Sequence, residues 1–162
     1  MKKVFFLLLV SLAFFSCEKK ISGPMMEVDV SFSLVNIKGE NLLNPAILGS
    51  FKEDDIDLFI MRDGSKSILF QGNLDASKFF KIRSNNGKFW LQMYFDANPN
   101  NFKDNKITQY IRFKDKTEFE IVGEFNSDRK RNKILQQIWV DGVAKSKSET
   151  VNSGQNPIIL IK

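Results

Sequence analysis

From residue 27 onward apolar and polar side chains alternate with a period of two: Val28, Val30, Phe32 and Leu34 are separated by Asp29, Ser31 and Ser33. Successive strand side chains point to opposite faces, so this spacing predicts a strand with one buried face. Asn36 to Asn44 carries Gly39, Asn41 and the Asn44-Pro45 step and predicts a turn and loop. Further strands are predicted at Ile56 to Arg62, Ser67 to Phe70, Phe79 to Arg83, Lys88 to Phe95, Lys106 to Phe113, Thr117 to Phe125 and Lys133 to Val140. Asp63-Gly64, Asn85-Asn86-Gly87 and Asp141-Gly142 read as hairpin turns. Lys145 to Asn156 is the longest polar loop. Pro157 then opens a terminal apolar strand, at a position where no ladder donor is needed.

No segment has the spacing of a helix. Seven to nine short strands, with turn signals every ten residues or so, predict an all-β fold. The expected form is an antiparallel β-sandwich, immunoglobulin-like or transthyretin-like in outline, with a small β-barrel as the alternative. The 162 residues suit one such domain, over 27–162, behind a short amino-terminal segment.

Writing out the registers separates the aromatic residues by type. In Lys88 to Phe95 the alternation puts Phe89, Leu91, Met93 and Phe95 on one face and Trp90, Gln92 and Tyr94 on the other. Ile107, Ile111 and Phe113 share a face, opposite Thr108, Tyr110 and Arg112. In the later strand Ile134, Ile138 and Val140 oppose Leu135, Gln137 and Trp139. All Trp and Tyr residues thus fall on the more polar register. Trp90, Tyr94, Tyr110 and Trp139 are the candidate ligand-binding residues, because rings beside Gln and Arg on a flat sheet face can stack on sugars while the amides bond hydroxyls. The same rings also stabilise sheets as exposed cross-strand pairs, and both readings stay open.

The amino terminus follows a different pattern. Met1-Lys2-Lys3 supplies a positive start, and Val4 to Phe15 an apolar run that ends at Ser16-Cys17 and gives way to Glu18-Lys19-Lys20. The run is too short for a membrane span, which needs about 20 apolar residues, and it reads as an export signal over 1–16. A single cysteine placed where the run ends resembles the lipobox of bacterial lipoproteins. Ser16 matches that pattern, while Phe14 and Phe15 stand where an aliphatic and a small residue are usual. The resemblance implies that Cys17 becomes the first mature residue and carries acyl chains, the only covalent group expected. Residues 17–26, with Ser22, Gly23 and Pro24, then form a short tether.

With Leu42-Leu43-Asn44-Pro45, Trp139-Val140-Asp141-Gly142 and the closing apolar strand, the chain resembles the small β-sandwich lipoproteins abundant in the Bacteroidetes. That likeness rests on turn and strand signatures; it implies lipid anchoring in the cell envelope, at the outer membrane, and no activity. Acidic residues directly after the lipidated cysteine favour surface display in those bacteria. Here Glu18 is followed by Lys19 and Lys20, so both faces of the outer membrane stay open.

Charge and chemistry narrow the functions further. Leaving Lys2 and Lys3 out of the 24 basic side chains gives 22 against 19 acidic ones, a net +3. Only Arg129-Lys130-Arg131 is a basic run, so nothing tracks a phosphate backbone and nucleic acid is not an expected partner. The chain has no His and one Cys, which excludes Ser-His and Cys-His catalysis and the usual zinc sites. Asp54, Asp55 and Asp57 cluster before a strand, and Glu118, Glu120 and Glu124 alternate along another; neither set faces a second carboxylate across a cleft as a glycosidase requires. Asp96-Ala97-Asn98-Pro99-Asn100, with Asp104 nearby, offers oxygen ligands but lacks the Gly and Glu of a calcium loop, and an Asn-rich turn accounts for it. No enzyme, cofactor or metal site is expected. The expected role is a tethered structural or protein-interaction module, with a glycan-binding module as the alternative.

Overall fold

The computed structural model describes residues 26–128, 132–145 and 157–162. The predicted export signal, Cys17 and nearly all of the predicted tether, the Arg129-Lys130-Arg131 run, and the predicted loop beyond Lys145 lie outside the described residues.

The first alternating segment forms β2 (Asp29–Val35), preceded by the two-residue β1 (Met26–Glu27). There follow β3 (Ile56–Arg62), β4 (Ser65–Ile68), β5 (Phe80–Asn85), β6 (Lys88–Tyr94), β7 (Lys106–Phe113), β8 (Glu118–Asp128), β9 (Asn132–Val140), β10 (Val143–Lys145) and β11 (Ile158–Ile161). Among the described residues the only helical pieces are two 3-10 turns, Glu53–Asp55 and Pro99–Asn101. The β3–β4, β5–β6 and β9–β10 turns are built on Asp63-Gly64, Asn86-Gly87 and Asp141-Gly142. Both residues of each pair have positive φ, the backbone twist that a two-residue hairpin needs.

The strands form two open sheets, a β-sandwich and not a closed barrel. The larger has the order β1-β9-β8-β7-β3-β4, with β10 also on β9; the smaller has the order β11-β2-β6-β5. Most pairs are antiparallel, but the two terminal strands each add in parallel, β1 to β9 and β11 to β2. Among the described residues eleven strands stand against the seven to nine expected, because the two- and three-residue β1 and β10 are too short to carry a pattern of their own.

The inner faces share one apolar core, in which Phe32, Leu34, Leu91 and Met93 of the smaller sheet join Leu58, Ile107, Ile111 and Ile121 of the larger. Gly123 of β8 sits where the sheets approach closely, since a Cβ there would lie 2.7 Å from the Phe95 ring. Phe95 and Phe125 meet edge to face at 5.3 Å across the same region. The long connection before β3 closes one end: Leu42, Leu43 and Phe51 are buried, and Asn41 Nδ2 donates to the Phe89 carbonyl at 2.7 Å.

One register differs from strict alternation. Phe125 pairs with Leu135 but Glu124 with Gln137, so β9 carries one extra residue at Gln136. This bulge turns Leu135 inward with Ile138 and Val140, all buried, whereas simple alternation puts Leu135 on the outer face with Trp139. Nothing in the local sequence marks the extra residue.

Candidate functional site

The sandwich divides the four candidate rings two and two. Trp90 and Tyr94 are on β6 of the smaller sheet, and Tyr110 and Trp139 on β7 and β9 of the larger. All four lie on the registers that alternate with the core ones, so the pairs occupy opposite outer faces and form no common platform.

On the larger sheet the rings are already engaged. Tyr110 is 8% exposed, more buried than an outward register suggests, and its hydroxyl donates to Glu120 Oε2 at 2.9 Å. Burial, reinforced by the Glu120 and Glu118 carboxylates, pushes its pKa up to about 12. Lys66 Nζ lies 3.6 Å from the Tyr110 ring centre, and Lys106 Nζ 4.6 Å from that of Trp139. The ammonium groups therefore occupy ring faces on which a sugar would stack. Lys66 also pairs with Glu118, which accepts from Arg112 Nε at 2.8 Å, and the Arg112 guanidinium lies over Phe59 at 4.3 Å. Burial alone would raise the Glu118 pKa; the hydrogen bonds from Lys66 and Arg112 outweigh it and hold the carboxyl below the usual range. This network bridges β4, β7 and β8. Two of the alternating Glu side chains are thus tied into the sheet face, Glu118 to cations and Glu120 to a phenol.

The smaller sheet's outer face is different. Strand pairing sets Arg83 opposite Trp90, Lys81 opposite Gln92, Lys88 opposite Asn85, Asp29 opposite Tyr94 and Ser31 opposite Gln92. Arg83 Nε donates to Gln92 Oε1 at 3.1 Å, and Gln92 Nε2 donates to Asp29 Oδ2 at 2.9 Å. A polar relay therefore crosses β5, β6 and β2 between the two rings. Tyr94 is half-buried at the margin of the core, and beside it an open depression of about 870 Å³ is lined by Leu74, Asp75, Lys81, Arg83 and Asn98. Ser31 Oγ and Trp90 Nε1 are both buried and make no hydrogen bond among the described residues. Such a group costs about 1–3 kcal/mol while unsatisfied.

The remaining polar clusters serve local structure. Asp55 Oδ2 accepts from the Lys52 N–H at 2.9 Å and Oδ1 faces Lys114 at 3.0 Å; these two contacts, the backbone one first, hold its pKa below the usual carboxylate range. Asp96 pairs with Arg62 at 2.8 Å and accepts from the Asn98 N–H, while Asn98 accepts from the Asn100 N–H, so the Asn-rich segment is a run of side-chain turns. Among the described residues no group of three or more His, Cys, Asp or Glu could hold a metal ion.

Sequence reasoning missed Gln109. It occupies the core register of β7 and is completely buried, its Oε1 accepting from the Asp96 N–H at 2.7 Å and its Nε2 donating to the Tyr94 carbonyl at 3.3 Å. A polar residue between Ile107 and Ile111 in an otherwise apolar register was the available signal. It joins the two sheets at the end of β6, next to the depression beside Tyr94.

Fold and faces together define a β-sandwich with a closed, cation-capped sheet on one side and an open, aromatic and basic sheet on the other. No family model matches the chain, and no curated protein and no solved structure shows significant similarity to it.

Proposed function

We propose that the protein is an envelope lipoprotein, lipidated on Cys17 and anchored at the outer membrane, whose β-sandwich is a non-catalytic structural or protein-interaction module. The observation that carries the reading is the leader: a basic start, a twelve-residue stretch from Val4 to Phe15 that is apolar except for Ser11, and the chain's single cysteine directly behind Ser16. The absence of His from the sequence supports a role without acid-base or nucleophilic chemistry, as does the engagement of Glu118 and Glu120 in ion pairing and hydrogen bonding. A protein partner has surfaces to meet, because edge strand β4 ends at exposed Ile68, with exposed Phe70 just beyond it, and edge strand β11 turns Ile159 and Ile161 outward.

The test is metabolic labelling with palmitate in a lipoprotein-processing bacterium, with mass spectrometry of the amino-terminal peptide. The native chain takes up label and fractionates with membranes; Cys17→Ser takes up none and moves to the soluble fraction. An unlabelled native chain retaining residues 1–16 would falsify the anchor. Protease added to intact cells, with a periplasmic protein as internal control, then tells which face of the outer membrane carries the domain.

A further inference from the structure

We propose that the outer face of the four-stranded sheet binds an acidic oligosaccharide, with Trp90 and Tyr94 stacking on sugar rings and Lys81, Arg83 and Lys88 meeting its carboxylate or sulfate groups. The proposal goes beyond the protein-interaction reading and depends on neither that reading nor the anchor.

Four features of that face converge. Trp90 and Tyr94 lie four residues apart on one strand, about 13 Å, so a ligand touching both is an extended chain and not a single sugar. Among the described residues, cation–ring contacts involve Tyr110, Trp139, Phe51, Phe59 and Phe102 but neither of these rings. Between the rings, Arg83, Gln92 and Asp29 are held in a fixed hydrogen-bonded row, which presents donors and acceptors to sugar hydroxyls without the cost of ordering them on binding. Ser31, 3% exposed, and the Trp90 indole each hold a polar atom with no partner among the described residues, on this same face.

Charge selects an acidic ligand. Lys81, Arg83 and Lys88 flank Trp90 and Gln92, and among the described residues no carboxylate lies within ion-pair distance of any of the three. Of the carboxylates in this region, Asp29, Asp75 and Asp96 sit at the Tyr94 end and Glu53 accepts from the Ile82 N–H at the β5 edge; Asp96 is already paired with Arg62, which leaves Asp29 and Asp75 to accept from sugar hydroxyls. A chain carrying its anion at the Trp90 end and hydroxyls at the Tyr94 end matches both. Guanidinium recognition of carboxylate or sulfate fixes orientation as well as strength.

Calorimetric titration of the full-length chain in detergent tests this with four probes: an oligogalacturonide, a carrageenan oligosaccharide carrying only sulfate, a neutral cello-oligosaccharide of equal length, and free galacturonate. Fluorescence in a Trp139→Phe background reports on Trp90 alone. The expected result is binding of at least one acidic oligosaccharide, with a change in Trp90 emission. Neutral chain and monosaccharide should bind at least about tenfold more weakly. Arg83→Gln should weaken binding about tenfold or more, and Trp90→Ala should abolish it, while Lys66→Gln and Trp139→Phe leave it unchanged. Should Trp90→Ala lose its circular dichroism spectrum, the exposed Arg83→Gln decides alone. A carboxylate-only or sulfate-only response supports the site and names the anion. Binding of neither acidic probe, equal binding of the neutral chain, or an unaltered Arg83→Gln overturns the proposal. None of those outcomes touches the protein-edge or anchor readings, which the palmitate labelling tests separately.

Discussion

Gln109 stands between Ile107 and Ile111 on the inner face of β7, where an apolar residue would ordinarily pack, and links the sheets through the Asp96 N–H and the Tyr94 carbonyl. Gln109→Leu keeps the volume but strands both backbone groups in the interior, so it is expected to cost about 2–3 kcal/mol in urea denaturation, without changing the fold. Tyr110 gives a pH signature. Its folded pKa of about 12 lies above the ordinary 10, so the folded state holds the phenolic proton more tightly. The stability this contributes is complete below pH 10 and is lost as pH rises through about 12. In a Tyr94→Phe background, ultraviolet titration of the folded protein should therefore show no phenolate at pH 10, and Tyr110→Phe should remove the corresponding alkaline loss of stability. The polar register of Tyr110 was legible from alternation. Its burial was not, because Lys66, which covers the ring, comes from a strand more than forty residues earlier.

Among the elements, the hairpins were the most legible, since Asp-Gly and Asn-Gly pairs specify positive φ locally and turned out to do so at all three sites. β9 was the least. Its bulge at Gln136 restores the inward direction of Leu135 after the outward Gln137, a matter decided by which residues of β8 lie opposite. Deleting Gln136 leaves Leu135 and Ile138 in phase on one face and Gln137 and Trp139 on the other. That variant is expected to fold, with a denaturation midpoint shifted by about 1 kcal/mol or less. Deleting Val122 from the unbulged β8 instead throws Ile121 and Phe125 out of phase, and no cooperative unfolding transition is expected.

For the molecule as a whole, both described chain ends are stitched in as parallel edge strands. β11 buries Ile158 and Leu160, covers the edge of β2, and places Lys162 against Asp115 in the β7–β8 turn of the other sheet. That Lys162 contact is the main reason the Asp115 pKa is held below the ordinary carboxylate value. Removing Pro157 to Lys162 forfeits on the order of 3–6 kcal/mol of apolar burial, comparable with the whole stability of a small domain, and uncovers an edge. The expected outcome is aggregation seen by size-exclusion chromatography. Lys162→Ala, which removes the Asp115 ion pair and the ammonium over the Phe51 ring, should cost about 1–2 kcal/mol and leave the protein monomeric.

Strand positions, turns and the inward or outward sense of most side chains were determined by the sequence by itself, because period-two alternation and left-handed turn residues act over a few neighbours. The all-β class followed from these, as did the sandwich expectation. Beyond the three hairpin pairs, which strands neighbour one another was decided only in the tertiary structure, by long-range pairing that no local pattern encodes. That pairing put Trp90 and Tyr94 on one side of the molecule and Tyr110 and Trp139 on the other. It also brought lysines over the second pair, while among the described residues no cation lies over the first, since a ring's accessibility depends on side chains supplied by strands remote in sequence.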